Sequence, residues 1–596
     1  MNFFKTFLAG VLAFLVGSFL SVFFWILMLG MIAGMAASIG GGGNVNVRPG
    51  SILKIDLSEQ IVDAPATDPL ANFNPRTLQS TKQLSLLDAL RAIDAAKDDD
   101  RIEGIYLRLN GGSGVSGSAI IEELRAAIVD FKESGKFVVA YNETYSQGQY
   151  YLASAADSIY LQPQGGMDWM GLASNTLFYK GLFDKLDLKA EVFRPTACKY
   201  KSAVEPYILD KMSDANRLQM QQLVNSLWKT IACDVAASRD IPVATLNRIA
   251  DNLSATLPEE ALKQGLVDAL IYEDQMDDVF ASLGVETDSN DEYRYVSLGQ
   301  YASQLPADMR FKAPQVAIVY ADGGIVDGES SDGSVGGNTL AAKLAEVRDD
   351  DRVKAVVLRV NSPGGSALAS DIIWREMELL KAEKPVIVSM GSYAASGGYY
   401  ISCPADAIVA DKMTLTGSIG VFGMFVDVHA ALKNKLGITV DGVKSNASAD
   451  MGMMKPLTPA QRATIMRGVD KVYDTFTTNV AEGRNLPLDR VLEIAGGRVW
   501  TGDDALGIGL IDSYGGLTAA IAIAADKAEI ADDYRVVEAV DQPTGLAAIL
   551  ASLNASVQAA FRRPDLDMLT AEYCRLREIL GQQGMVMYSP YQVEIR

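Results

Sequence analysis

The sequence predicts an α/β protein that contains the same domain twice. The blocks KDDDRIEGIYLRLN (97–110) and RDDDRVKAVVLRVN (348–361) are identical at seven of fourteen positions. Each block follows a helical pattern and has the composition of a buried strand, an alternation typical of parallel sheets flanked by helices. The blocks lie about 250 residues apart, which is too long for a solenoid unit and indicates a duplicated domain.

The similarity continues beyond these blocks at nearly the same offset. Three further pairs of segments match: 146–161 with 395–410, 185–194 with 435–444, and 259–270 with 503–514. We therefore predict four parts of the chain: an anchor and glycine linker (1–45), a first repeat (46–305), a second repeat (311–540) and a tail for packing or oligomerisation (541–596). The segment 303–314 is the predicted boundary between the repeats.

The N-terminal segment predicts a transmembrane helix. Residues 7–38 carry no charged side chain, and this run exceeds both the roughly 20 apolar residues that span a bilayer and the ~7–15-residue core of a cleavable signal peptide. Lys5 precedes the run, which favours a cytoplasmic N-terminus and an external body. The four glycines at 40–43 are then a flexible linker.

Composition limits the classes of function. A chain of 596 residues is too long for one hydrophobic core. The net charge of −21 argues against nucleic acid as the main partner. The four cysteines are scattered without a CxxC spacing, so they indicate neither a disulfide framework nor a zinc site. The single histidine, His429, leaves little scope for histidine-based catalysis or metal binding. We therefore expect no metal and no cofactor.

Ser396 is the candidate nucleophile. It lies in GSYAASGGYYIS, where a Gly-Gly pair separates the serine from a short helical run. A helix N-terminus can bind an oxyanion, and a turn between strand and helix exposes a nucleophile. The first repeat has Gln147 at the corresponding position, so only the second repeat carries the serine. An ordinary tight turn is the alternative interpretation.

The motif NSPGGS (361–366) contains candidate oxyanion-binding amides. It follows the apolar strand AVVLRV, and Gly364 and Gly365 would let backbone N–H groups approach a ligand closely. An acyl-transfer site needs such donors about 2.7–3.1 Å from the developing oxyanion. A Gly-Gly step alone is more often a turn, and the serine that follows some thirty residues later favours a site.

A serine nucleophile needs a base, and the residues alone leave the choice open. His429 would complete a Ser-His-Asp arrangement, but a lone histidine at a helix start is more often structural. A lysine kept neutral by burial is the alternative. Lys444 lies in the same repeat as Ser396, whereas Lys201 lies in the segment YKSAVEPY of the first repeat, close to Lys199. A surface lysine is the ordinary interpretation of each.

Five motifs together resemble a known family. VNSPGGS, SMGSYAASGGYYIS, TLTGSIGVFG, YKSAVEPY and GRVWTGDDALGIGLID are similar to signal peptide peptidase A, also called protease IV, in its long duplicated bacterial form. The resemblance covers about 46–540 and the N-terminal anchor. It implies a ClpP/crotonase-like fold in each repeat and a membrane-anchored serine endopeptidase that degrades cleaved signal peptides. It also implies a homotetramer, held by a single-pass anchor in the bacterial inner membrane, with its body on the periplasmic side.

The resemblance also assigns roles to residues. Ser396 matches the nucleophile, Lys201 the general base, and Ser418 a serine that orients the lysine. Three glycines match the oxyanion-hole amides: Gly364, Gly365 and Gly397. The nucleophile and its base then come from different repeats, so neither repeat would be active alone. Whether they meet within one chain or between subunits is left open by the sequence.

Two other functions are compatible with such a chain. A crotonase-type acyl-CoA enzyme would share the fold and the amide oxyanion hole, but it would work with acidic residues and a CoA site. A non-catalytic membrane scaffold would tolerate substitution of Ser396 and Lys201. The peptidase interpretation implies peptide substrates, contact with membrane lipid and no nucleic acid.

Overall fold

The computed structural model describes residues 47–57, 59–64, 73–74, 79–80, 83–109, 117–331, 333–539 and 586–588. The segment 7–38, predicted as a membrane anchor, lies outside these residues. Within the described ranges, no helix combines the length and the apolar character needed to cross a bilayer.

Strands and helices alternate along the first repeat, as predicted. Its strands are β1 (Ser51–Ile55), β2 (Gln60–Val62), β3 (Phe73–Asn74), β4 (Gln79–Ser80), β5 (Gln83–Ser85), β6 (Ile102–Leu107), β7 (Phe137–Tyr145), β8 (Ser158–Met167), β9 (Lys189–Phe193), β10 (Ala269–Leu270) and β11 (Arg294–Ser297). Its helices are α1 (Leu86–Asp98), α2 (Ser118–Lys132), α3 (Gln147–Ala153), α4 (Lys180–Lys185), α5 (Glu205–Ile208), α6 (Asp214–Arg239), α7 (Val243–Asn252), α8 (Pro258–Lys263), α9 (Met276–Ser282) and α10 (Leu298–Gln304). β3 and β4 pair antiparallel with each other.

The second repeat has the same alternation. Its strands are β12 (Gln315–Asp322), β13 (Gly324–Val326), β14 (Ser334–Gly336), β15 (Val353–Ser362), β16 (Gly364–Ser366), β17 (Val386–Ala395), β18 (Ala407–Ala410), β19 (Leu415–Gly417), β20 (Gly423–Asp427), β21 (Val499–Thr501), β22 (Ser513–Tyr514) and β23 (Arg535–Glu538). Its helices are α11 (Gly337–Asp349), α12 (Ala367–Lys381), α13 (Gly397–Ser402), α14 (His429–Leu436), α15 (Pro459–Gly483), α16 (Leu488–Ile494), α17 (Gly502–Gly507) and α18 (Leu517–Lys527). A last strand, β24 (Val586–Tyr588), follows in the tail.

The two repeats share a six-stranded parallel path in their sheets. In the first repeat the strand order is β10-β8-β7-β6-β1-β11, and the path β22-β18-β17-β15-β12-β23 of the second sheet matches it. The second sheet also has a branch that the first lacks, in which β19 pairs with β17 and β21 pairs antiparallel with β19. All pairs along both paths are parallel. Parallel strands need crossover connections, which the intervening helices provide. The predicted duplication of an α/β unit is therefore confirmed.

The duplication extends to single hydrogen bonds. The hydroxyl of Tyr150 donates to the carbonyl oxygen of Leu266 at 2.8 Å. In the second repeat, the hydroxyl of Tyr399 donates to the carbonyl oxygen of Leu510 at 2.9 Å. These tyrosines lie at matching positions of the segments 146–161 and 395–410, and both tyrosines and both leucines are buried. The two cores therefore satisfy a buried hydroxyl group with the same hydrogen bond.

One of the matching segment pairs does not keep a common structure. Residues 189–193 form β9, which pairs antiparallel with β20 of the second repeat. The corresponding residues, 439–443, lie beyond the end of α14 in mostly exposed chain without a strand. Whether a segment forms a strand depends more on a pairing partner than on its own propensity. Residues 189–193 have such a partner in β20, so similar sequences adopt different structures in the two repeats.

The second repeat places its most buried strands under the candidate site. β15 and β17 are almost entirely buried and neighbour each other in the sheet. β15 leads to the NSPGGS motif and β17 leads to Ser396. Because parallel strands end at one edge of a sheet, the two motifs meet there.

Candidate active site

Ser396 lies in a strained turn between β17 and α13. Its backbone angles are φ 58° and ψ −114°, a conformation that costs a non-glycine residue on the order of 1–3 kcal/mol and that persists where the surroundings hold it. The backbone N–H of Ser396 donates to Gly417 at 2.8 Å, and its carbonyl oxygen accepts from Tyr400 at 2.9 Å. The turn between strand and helix therefore fixes the position of the hydroxyl.

The two glycines after Ser396 are required by close packing. A Cβ atom on Gly397 would lie 2.7 Å from the hydroxyl oxygen of Ser370. A Cβ atom on Gly398 would lie 2.6 Å from the carbonyl oxygen of Ser362. Glycine thus lets α13 begin this close to α12 and to the end of β15.

Lys201 reaches Ser396 from the first repeat. Its Nζ lies 2.6 Å from the Oγ of Ser396, 2.9 Å from the carbonyl oxygen of Ser418 and 2.9 Å from the Oγ of Ser418. The three residues belong to one chain, so this contact crosses between repeats without a second subunit. Sequence positions 195 residues apart thus meet in a hydrogen bond.

This cluster is closed to water. Ser396 is 0% exposed, and Lys201 and Ser418 are each 1% exposed. Burial lowers the pKa of Lys201 to about 7, because the ammonium form loses its hydration. A lysine amine with this pKa is partly neutral near physiological pH and can accept a proton.

Backbone of the second repeat packs against Lys201. Gly497 has φ +78°, and a Cβ atom there would lie 2.5 Å from the Cβ of Lys201. The N–H of Gly497 donates to Ile419 at 2.7 Å, while Arg194 donates to the carbonyl oxygen of Lys201 at 2.8 Å. Gly497 is not among the site residues predicted from the sequence, although it belongs to the Gly-Gly pair in AGGRVW.

Ser418 is held in place by its backbone. Its φ is +50°, unusual for a residue with a side chain. Its N–H donates to the carbonyl oxygen of Arg498 at 2.7 Å, and its hydroxyl donates to Gly497 at 3.4 Å. These contacts leave both the carbonyl and hydroxyl oxygens of Ser418 turned toward the Lys201 amine.

The predicted oxyanion glycines lie beside Ser396. Gly364 has φ +96°, and its N–H donates to the hydroxyl of Ser362 at 3.2 Å. The backbone nitrogen of Gly365 lies 3.1 Å from the position of a Cβ on Gly397. The amide of Gly364 thus already has a partner, and Ser362, which the sequence reasoning did not assign, holds this loop.

The other candidate bases lie in different surroundings. Lys444 is exposed and forms an ion pair with Asp450 at 3.0 Å. His429 is the first residue of α14, and its backbone N–H donates to the carboxylate of Asp427 at 2.9 Å. The ammonium group of Lys199 lies over the Tyr200 ring.

No metal centre accompanies these groups in the part of the chain that the structure describes. Within those ranges, no group of three or more His, Cys, Asp or Glu side chains is arranged to hold a metal ion. The hydrogen-bonded side chains of the cluster are those of Lys201, Ser396 and Ser418.

Comparisons with known proteins find proteases that are similar to this chain over most of its length. The model of Peptidase family S49 matches residues 130–285 and 378–531, once in each repeat. The chain is 39% identical to Protease 4 of Salmonella typhi, over 95% of this chain and 92% of the relative. It is 37% identical to Protease 4 of Haemophilus influenzae, over 86% and 84%. It is 34% identical to Serine protease SPPA, chloroplastic, of Arabidopsis thaliana, over 86% and 74%.

Proposed function

Because the chain belongs to peptidase family S49 and is a serine protease, we propose that it cleaves peptides with Ser396 as nucleophile and Lys201 as general base. One observation carries this proposal: the Lys201 amine lies 2.6 Å from the Ser396 hydroxyl in a fully buried setting. A nucleophile and a base within hydrogen-bond reach, with a third group that orients the base, are the arrangement that nucleophilic catalysis needs.

The hydrogen bonds suit a neutral lysine. A neutral amine has two N–H donors and one lone pair, and three oxygen atoms lie around Nζ. The two N–H groups donate to the carbonyl and hydroxyl oxygens of Ser418, which directs the lone pair at the hydroxyl proton of Ser396. Ser418 is thereby a positioning residue for the base.

The reaction then proceeds in two halves. Lys201 removes the hydroxyl proton while the Oγ of Ser396 attacks the scissile carbonyl carbon, and the amides of Gly365 and Gly397 stabilise the oxyanion. The lysine ammonium returns the proton to the leaving amine, and an acyl-enzyme remains. The same amine then takes a proton from water, whose oxygen attacks the ester carbonyl carbon. As the bond from that carbon to the Oγ of Ser396 breaks, the lysine returns the proton to this oxygen, which frees the serine and a carboxylic acid that ionises in water.

We further propose a cellular setting for this chemistry. The uncharged segment 7–38 would be a single-pass anchor in the bacterial inner membrane, in contact with lipid and with the body on the periplasmic side. The two repeats, 46–305 and 311–540, would each be ClpP/crotonase-like domains, and the molecule would assemble as a homotetramer. Its substrates would be cleaved signal peptides.

The buried amine argues against a non-catalytic scaffold. Burying an ionisable group without an opposite charge costs folding free energy, and the pKa of Lys201 is lowered mainly by that burial. A protein selected only for assembly has no use for this cost. A crotonase-type acyl-CoA enzyme would need an acidic catalytic group in place of the amine beside Ser396.

The test is active-site labelling of the full chain in detergent. A serine-reactive peptidyl phosphonate is added to wild type, Lys201→Ala, Lys444→Ala and Ser396→Ala, and the adduct is located by mass spectrometry. We expect labelling at Ser396 in wild type and Lys444→Ala, a fall of at least ~10³-fold in the labelling rate of Lys201→Ala, and no label in Ser396→Ala. Circular dichroism checks that each variant is folded.

Two results would contradict the proposal. Unchanged labelling of Lys201→Ala would remove the lysine from the role of base. Absence of any label on folded wild type would favour the scaffold, and turnover of a CoA thioester by Ser396→Ala would favour the acyl-CoA enzyme.

A further inference from the structure

Gln219 is a buried amide side chain that lies between the two repeats. It belongs to α6 of the first repeat and is 1% exposed. Its Oε1 accepts from the backbone N–H of Val499 at 2.9 Å, and its Nε2 donates to the carbonyl oxygen of Tyr200 and to the hydroxyl of Ser202, each at 3.4 Å. A donor faces one end of the amide and a carbonyl oxygen faces the other, so the side chain uses both of its functions.

The nitrogen end of this amide holds the segment that carries the candidate base. Tyr200 and Ser202 are the neighbours of Lys201 in the chain, so Gln219 contacts the backbone directly before the lysine and the side chain directly after it. The N–H of Tyr200 also donates to the carbonyl oxygen of Gly496 at 3.0 Å, which joins the same segment to the second repeat. These contacts hold the backbone from which the Lys201 side chain reaches the site.

The oxygen end holds the strand that positions both serines. Val499 begins β21 and lies opposite Gly417 of β19 in an antiparallel pair. The carbonyl oxygen of Gly417 accepts from the N–H of Ser396 at 2.8 Å. The carbonyl oxygen of Arg498, the residue before Val499, accepts from the N–H of Ser418 at 2.7 Å. One amide group therefore links the chain beside the lysine to the chain that holds the two serine turns.

α6 contacts β21 at a second point along the same face. Ser226 lies seven residues after Gln219, which is about two helical turns. Its hydroxyl oxygen lies 2.7 Å from the hydroxyl oxygen of Thr501. This contact also joins the repeats, but it involves neither the neighbours of Lys201 nor the residues that bond Ser418. The face of α6 thus offers two links to one strand, and they differ in their relation to the site.

We propose that Gln219 is a positioning residue for the Ser-Lys reaction, and that its amide sets the separation between the Lys201 amine and the Ser396 hydroxyl. The inference rests on the proposed serine peptidase function. A general base must lie within hydrogen-bond reach of the proton that it removes, and an error of about 1 Å in such a geometry can cost ~10²-fold in rate. An amide suits this position because it is a donor and an acceptor at once, whereas a carboxylate has no N–H group.

Loss of the amide should also let water reach the lysine. The low pKa of Lys201 arises from burial, and a gap between Tyr200 and Val499 would hydrate the ammonium form again. The pKa of Lys201 should then rise toward its ordinary value of about 10.4, and cleavage should begin at a higher pH. The substitutions below leave in place the charged or titratable groups around this segment, which include Arg194, Cys198, Lys199 and Arg498.

The experiment measures kcat and KM for a neutral fluorogenic peptide from about pH 5 to 10 in wild type and in Gln219→Met. We expect the inflection of kcat/KM to rise by at least about one pH unit, and kcat/KM at pH 7 to fall at least about tenfold. The loss should lie in kcat, because the three contacts of Gln219 do not include the glycine loop. The deficit should shrink as the pH rises, since a higher pH restores the neutral amine.

Gln219→Glu separates the two ends of the amide. A carboxylate can accept from the N–H of Val499 but cannot donate to the carbonyl oxygen of Tyr200. Its charge also favours the ammonium form of a nearby lysine, so the inflection should rise at least as far as in Gln219→Met. This variant keeps the inference testable if circular dichroism shows that Gln219→Met does not fold.

Ser226→Ala is the matched control, because it removes a contact of the same helix to the same strand. Its inflection should equal that of wild type, and its kcat/KM should stay within about twofold. A purely structural role for Gln219 would lower the urea midpoint and the fraction of enzyme that the phosphonate labels, but it would not move the inflection.

Two results would overturn the inference. One is an unchanged inflection in both Gln219 variants, and the other is an equal shift in Ser226→Ala. Absence of cleavage in wild type, or a wild-type profile without an inflection, would instead contradict the proposed function.

Discussion

Lys201 shows how burial changes the chemistry of one residue, which is the candidate base, at a cost to folding. It is fully buried, and hydrogen-bonded oxygens rather than carboxylates surround its amine. Loss of hydration therefore outweighs the attraction of the surroundings for a proton, and the pKa of Lys201 falls to about 7. The same residue on the surface would remain charged and inert as a base.

This pKa predicts the pH dependence of peptide cleavage. Below about pH 7 the amine is protonated and cannot accept the Ser396 proton, so kcat/KM should rise about tenfold per pH unit and level off above the pKa. The measurement is kcat/KM for a neutral fluorogenic peptide from about pH 5 to 9.

Ser418→Ala is the comparison for this profile. The variant removes an oxygen that accepts from the amine at 2.9 Å, and a charged amine loses more from this than a neutral one. The inflection should move to lower pH, and the plateau should fall about tenfold. A flat profile in wild type would mean that the amine does not act as the base.

At the scale of elements, two adjacent strand ends build the site. β15 leads to the glycine loop, and β17 leads to the serine turn. In both segments glycines pack so closely against their neighbours that an added Cβ atom would collide with them. A turn between strand and helix with a strained nucleophile is a general solution for exposing a hydroxyl above a sheet. The strain is sustained because the buried strands and α13 hold the turn from both sides.

Gly364→Ala tests whether the glycine loop must approach the serine turn this closely. An added Cβ would lie 2.5 Å from the nitrogen of Gly397 and 2.9 Å from the carbonyl oxygen of Ala395. The loop must then shift away from the serine, and kcat/KM should fall by ~10²-fold or more through loss of oxyanion stabilisation. The measurement is steady-state cleavage of the fluorogenic peptide by the folded variant.

Gly437→Ala is the matched control for that substitution. Gly437 also has a positive φ, +67°, but nothing lies within 4 Å of an added Cβ. It should lose only the roughly 1 kcal/mol of stability that a positive φ costs alanine, and its kcat/KM should stay within about twofold of wild type. Equal losses in the two variants would assign the effect to backbone strain rather than to the crowded contact.

At the scale of the whole molecule, a buried arginine is among the contacts that join the repeats. Arg359 is 1% exposed, and its Nη2 lies 2.5 Å from Asp63 and 2.8 Å from Glu123, both of the first repeat. The matching residue of the first repeat, Arg108, pairs instead with carboxylates of its own repeat that are more than half exposed. Duplication thus supplied the same arginine twice, and only the second copy became a link.

This difference predicts unequal effects on stability. Arg359→Met leaves two buried carboxylates without their partner and should lower the free energy of unfolding by about 3–5 kcal/mol. Arg108→Met loses contacts to exposed carboxylates and should cost about 1 kcal/mol for the ion pairs. The measurement is the urea midpoint of the two variants, with m-values compared. A midpoint for Arg359→Met at or above that of Arg108→Met would contradict the assigned role.

Some features of the site could be predicted because they are local. Ser396 and Gly397 lie in one short segment that follows an apolar strand, and such a pattern is visible along the chain. The partner of the Gly364 amide and the packing of Gly497 on Lys201 were not predicted. Both depend on which distant backbone approaches the loop, and a linear pattern carries no such information.

The sequence by itself determined the alternation of strands and helices, their duplication and the segment that holds the candidate nucleophile, because these follow from short-range hydrophobic period and from repetition. The pattern of residues left Lys201 and Lys444 open as candidate bases, and only the family resemblance favoured Lys201; the tertiary structure supplies the contact itself, with Lys201 against Ser396 and Lys444 paired with Asp450. The packing of one repeat against the other brings Lys201 and Ser396 together. Burial at this contact removes the hydration of the Lys201 amine. Proximity and desolvation are properties of the packed molecule, which is why the chemistry of this lysine appears only when both repeats are folded together.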